Sequence, residues 1–146
     1  MKKQSTCFWS KSVIELILAR TGLFFGLFGS ALIFLSFFLY LPNKKNYEKL
    51  VSLFKKKYIF PAPNSFNHMI GFFGVFQVSR FFIQLSKKKK IFLLERNDPA
   101  YDFFKENDLK IQSWMRYLSL MWMAAGFLYL ISLLLSVILY FTRLWY

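Results

Sequence analysis

Two long stretches of the chain hold no charged residue: Thr21 to Leu41 (TGLFFGLFGSALIFLSFFLYL) and Tyr117 to Phe141 (YLSLMWMAAGFLYLISLLLSVILYF). A bilayer core is crossed by about 20 apolar residues at helical rise, and each stretch reaches that length. The pattern predicts an all-α integral membrane protein. Two transmembrane helices, about 13–41 and 109–142, are joined by a basic connector over 42–108. The first helix has a start signal in Ser12 and Glu15, an S-x-x-E capping box. Its end is expected at Leu41, because Pro42 has no N–H to give and its ring crowds the preceding turn. The extra turns, with Glu15 and Arg20, belong at the interface or against a partner. Asp108 is the predicted cap of the last helix, which runs through Ile111, Trp114 and Met115. Trp114 and Tyr117 mark one membrane interface, and Tyr140, Trp145 and Tyr146 the other.

The connector has a pattern of its own. Tyr47, Leu50, Val51 and Phe54 fall on one helical face within 46–58, flanked by Lys44, Lys45, Lys49, Lys55, Lys56 and Lys57. A basic helix with such a stripe either lies on a membrane surface or packs on a neighbouring subunit. Pro61-Ala62-Pro63-Asn64 breaks the chain. A Phe-rich helix is then predicted over 65–86, interfacial or semi-buried. It carries His68 and a polar or small stripe of Asn67, Gly71, Gly74, Gln77, Arg80 and Gln84. Asp98-Pro99 is an N-cap and first-turn pair, so a short helix follows through Tyr101, Phe103 and Phe104.

Composition sharpens this picture. The chain has 146 residues, 56% of them hydrophobic, and a net charge of +13. So short a chain has too little interior to hide that much apolar surface, so lipid or neighbouring subunits are expected to cover it. Residues 1–146 are read as one membrane domain. Of the 20 Lys and Arg, 15 lie between Pro42 and Arg116. The positive-inside rule then keeps the connector on one side of the membrane, since a third span over 65–86 would split the charges more evenly. The same charges suit anionic head groups, cardiolipin-like lipids among them, better than nucleic acid. Lys44, Lys45, Lys55, Lys56, Lys57, Arg80, Lys87 and Lys88 are the candidate lipid contacts. Arg80 has two readings, snorkelling to the head groups or pairing with a lipid phosphate or a neighbouring carboxylate.

Gly22, Gly26 and Ser30 are four residues apart in the first span, and Ser132 and Ser136 in the second. Small residues at this spacing let helices approach closely. His68 is the sole histidine and Cys7 the sole cysteine, too few for a metal site or an internal disulfide. The acidic segment Glu95 to Asp108 lacks calcium-loop spacing. No phosphate-binding, zinc-hydrolase or nucleophile-elbow motif occurs. Neither span has a central carboxylate for proton relay. No catalytic residue, cofactor or metal is expected.

Met1-Lys2-Lys3 ahead of an apolar helix mimics a signal peptide, but the run is too long and lacks a small-residue cleavage pattern. It reads as an uncleaved anchor. Phe, Tyr, Met, Ile, Asn and Lys, which use AT-rich codons, number 64 residues against 21 for Gly, Ala, Arg and Pro. The expectation is a non-catalytic accessory subunit of a large membrane complex. An AT-rich protist's mitochondrial inner membrane fits, with a respiratory complex or ATP synthase as parent. The alternatives are a small inner-membrane part of a bacterial secretion or conjugation machine, or an oligomeric channel subunit.

Overall fold

The computed structural model describes residues 3–91, 94–95 and 98–144, and among these no strand occurs. Five α-helices follow one another: α1 Lys3–Lys57, α2 Ala62–Asn67, α3 Phe72–Ser86, α4 Phe103–Glu106 and α5 Ser113–Leu144. A 3₁₀ turn, His68–Ile70, follows α2, and another, Pro99–Asp102, leads into α4. The described regular structure is all helical, and α1 and α5 are long and apolar enough to cross a membrane. Two compact units are distinguished: Met1–Phe34 with Met123–Tyr146, and Leu35–Trp122.

Three expected boundaries are corrected. Helix α1 does not end at Leu41 but continues through Pro42 to Lys57. A proline inside a helix costs about 3 kcal/mol. Packing in a single helical phase outweighs it. Tyr40 and Tyr47, two turns apart, are both buried, and their rings meet at 6.0 Å across the proline. Asn43 also donates its side-chain N–H to the Leu39 carbonyl at 2.9 Å, adding a bond beside the proline. The second correction is at the start of α1, which begins at Lys3, so Ser12 and Glu15 lie within it. The third is at α5, which begins at Ser113 and is not capped by Asp108. Asp108 has φ +47° and belongs to the end of α4. Trp145 and Tyr146 lie outside the described residues, as does the side chain of Cys7.

In the first unit, α1 and α5 lie antiparallel along a seam of small residues. Ser132 donates to the Gly22 carbonyl at 2.8 Å. A Cβ on Gly29 would come within 3.4 Å of the Ala125 carbonyl, so the two backbones approach closely there. Ser30 Oγ and Tyr129 OH are 2.7 Å apart, and Glu15 meets Arg143 at 3.6 Å. The outer faces stay open: Leu23, Phe24, Leu27, Phe127, Leu130 and Leu133 are each more than half exposed. In the most apolar stretch of α5 only 6% of the residues are buried.

The second unit has a core of its own. Phe54, Phe82, Phe103, Leu85, Met115 and Leu118 are fully buried. The Phe54 ring packs on Phe60 at 4.6 Å and edge-on to Phe103 at 5.1 Å, a favoured aromatic geometry. The stripe of 46–58 therefore ends inside the chain. It is the last part of α1, and Tyr47, Val51 and Phe54 pack on the protein's own helices instead of a membrane surface. The same holds for the apolar side of α3, where Val75, Val78, Phe81, Phe82 and Leu85 are buried.

The predicted helix over 65–86 is two helices with a corner between them. Gly71 adopts φ +65° and ψ −137°, a conformation open to glycine and strained for other residues. Gly74 permits the fold-back, because a Cβ there would run into the Asn67 carbonyl. The resulting α3 has 15 residues, roughly 22 Å of helix, too short to cross a bilayer core.

Candidate functional site

Helix α1 across the end of the apolar run, together with the turn before α3, forms an open groove of about 730 Å³ in the second unit. Phe37, Tyr40, Leu41, Tyr47, Val51 and Phe72 make its apolar lining. Phe37 and Phe72 meet edge to face at 5.1 Å. Lys44, Glu48, Ser52, Lys55 and His68 bring the polar groups. The continuation of α1 past Pro42 is what puts Phe37 and Lys55 on one helix, and the Gly71 corner is what turns Phe72 towards them.

The electrostatics are specific at one end. His68 Nδ1 lies 2.8 Å from the Ser65 carbonyl, and Nε2 lies 2.7 Å from Lys55 Nζ. A carbonyl only accepts and an ammonium only donates. The geometry therefore assigns the proton to Nδ1 and makes Nε2 the acceptor for Lys55. Lys44 stands 3.8 Å from Glu48, a loose exposed pair. Tyr47 is 5% exposed, and its hydroxyl is buried without a hydrogen-bond partner. Such a group carries an uncompensated desolvation cost of about 1–3 kcal/mol.

The remaining candidate lipid contacts are dispersed. Lys45, Lys56 and Lys87 are exposed and do not line the groove. Lys57 donates to Glu106 at 2.6 Å, and the Tyr58 hydroxyl joins the same carboxylate at 2.8 Å. Lys88 donates to Asp102 at 2.7 Å. The partners hold the Glu106 and Asp102 carboxyls below their ordinary values, chiefly through the hydrogen bonds from Lys57 and Lys88. Arg80 is exposed and lines a separate polar recess with Asn64, Asn67, Gln77 and Gln84. Of the small residues, Gly22 and Gly26 face Ser132. Ser136 instead donates to the Ser132 carbonyl of its own helix. Trp114 is buried, and Tyr117 and Tyr140 are exposed.

Sequence reasoning named Lys44 and Lys55 but did not bring them together with Tyr40, Phe72 and His68. The usable signal was the seven-residue spacing of Tyr40 and Tyr47, which an assumed break at Pro42 conceals. Among the described residues no group of three or more His, Cys, Asp and Glu side chains is placed to hold a metal ion. No known protein family, curated protein or solved structure matches the chain, so neither fold nor chemistry is carried over from a relative.

Proposed function

We propose that the chain is a non-catalytic structural subunit of a membrane-protein assembly, anchored by α1 and α5 as a helical hairpin. The observation that carries this reading is the apolar surface the chain leaves uncovered. Leu23, Phe24, Leu27 and Phe28 on α1, and Phe127, Leu130, Leu133 and Leu134 on α5, are all more than half exposed. Exposed apolar surface of this extent belongs against lipid or other subunits. The basic second unit then works at the membrane surface, where its lysines meet anionic head groups. The AT-biased composition favours an energy-transducing organelle membrane, with the mitochondrial inner membrane and a respiratory complex or ATP synthase as the setting.

The test is purification of a tagged copy from its native membrane in mild detergent, with mass spectrometry of what comes with it. Stoichiometric recovery of several different membrane subunits is expected. Recovery of the chain as a lone monomer defeats the assembly role. A stable homo-oligomer free of other chains favours a channel.

A further inference from the structure

We propose that the groove over Tyr47 binds one anionic phospholipid, with Lys44 and Lys55 on its phosphate and Phe37 and Phe72 along its upper acyl chains. The proposal rests on the reading of the chain as a membrane protein. It goes further by naming the site and the charge of the lipid that fits it.

The polarity of the groove runs in the order a phospholipid requires. Phe37 and Leu41 belong to the charge-free run, and Leu41 is its last residue. Lys44, Glu48 and Lys55 follow on the same helix, beyond the end of that run. A lipid lying along α1 therefore has its chains beside aromatic rings and its phosphate beside the lysines. The lining charges are two lysines and one glutamate, a net +1 that matches the single negative charge of a phosphodiester. Glu48 disfavours a doubly charged phosphate and offers an acceptor to a hydroxylated head group.

One detail sets this site apart from a generally basic surface: Lys55 is held in position. The Ser65 carbonyl fixes the His68 tautomer, and His68 Nε2 accepts a hydrogen bond from the Lys55 ammonium. An ammonium has three donors, so two remain for phosphate oxygens. His68 acts here as a positioning residue.

The experiment uses the full chain, delipidated in mild detergent, and native mass spectrometry with added dioleoylphosphatidylglycerol or dioleoylphosphatidylcholine. The wild type is expected to hold one phosphatidylglycerol in preference to phosphatidylcholine. Each basic side chain near an anionic head group contributes roughly fivefold in affinity. The K44Q/K55Q variant should therefore bind about 25-fold more weakly. The K89Q/K90Q variant loses the same charge at exposed lysines outside the groove and should bind as the wild type does. Equal binding of the two lipids overturns the proposal. So does equal weakening in both double variants, or no weakening in K44Q/K55Q. Flotation with vesicles separates the two readings. A wild type that fails to float defeats membrane association itself. One that floats, with lipid retention unchanged in K44Q/K55Q, defeats only the site.

Discussion

At single positions, the ends of the short helices carry most of the unforeseen structure. The N–H of Leu109 reaches the Phe104 carbonyl at 3.0 Å, and that of Asp108 reaches Lys105 at 3.4 Å. Lys89 and Lys88 do the same to Gln84 and Leu85, both at 3.0 Å. These are Schellman closures, normally built on a glycine in the left-handed region. Here Asp108 and Lys88 occupy that region, with φ of +47° and +49°. An L side chain costs about 1 kcal/mol there. Asp108→Gly should therefore stabilise the second unit by about 1 kcal/mol, seen as a higher thermal midpoint in detergent; an unchanged or lower midpoint contradicts the argument. Lys88→Gly is a poorer probe because it also removes the Asp102 pair. Neither helix end was legible, since the usual glycine is missing from both. The Asp98 cap was legible: an Asp-Pro pair has few other uses, and Asp98 accepts the Ala100 N–H at 2.8 Å.

At the scale of elements, the corner between α2 and α3 combines two observations. Phe66, Met69 and Phe73 are each about two-thirds exposed or more. Behind them, Phe72 contacts Phe37 at 5.1 Å, and Phe76 stacks on Trp122 at 5.5 Å. Phe37 and Trp122 belong to the two charge-free runs. If those runs lie in lipid, the corner lies at the same depth and its exposed side chains dip into the bilayer interface. An environment-sensitive dye at M69C, in a C7S background in vesicles, should report an apolar setting. The same dye at K89C should report water. A water-like signal from both sites would contradict the corner's immersion. This bend is not legible in the sequence, because Gly71 and Gly74 fit a helical small-residue stripe as well as they fit a turn. Only the positive φ of Gly71 and the close approach at Gly74 separate the two.

For the molecule as a whole, two ion pairs tie charged segments that lie far apart in sequence. Lys57 pairs with Glu106, and Lys88 with Asp102, and both acids sit in the stretch from Pro99 to Glu106. On the proposed membrane reading, Lys55–Lys57 and Lys87–Lys90 are therefore expected to share a side. Trypsin added to sealed vesicles should cut at both segments or at neither, and cutting at one alone would contradict the arrangement. Charge counting along the sequence leads to the same expectation. It does not reveal that 42–108 supplies much of a packed core, since Phe54, Phe82 and Phe103 look no different in sequence from lipid-facing phenylalanines. The seam between α1 and α5 adds a matter of timing. Gly22 and Ser132 are 110 residues apart. With synthesis at roughly 5–20 residues per second, the first arm emerges on the order of 5–20 s before its partner. During that interval the glycine face of α1 is open to whichever neighbour arrives first, so the hairpin closes as the outcome of a race.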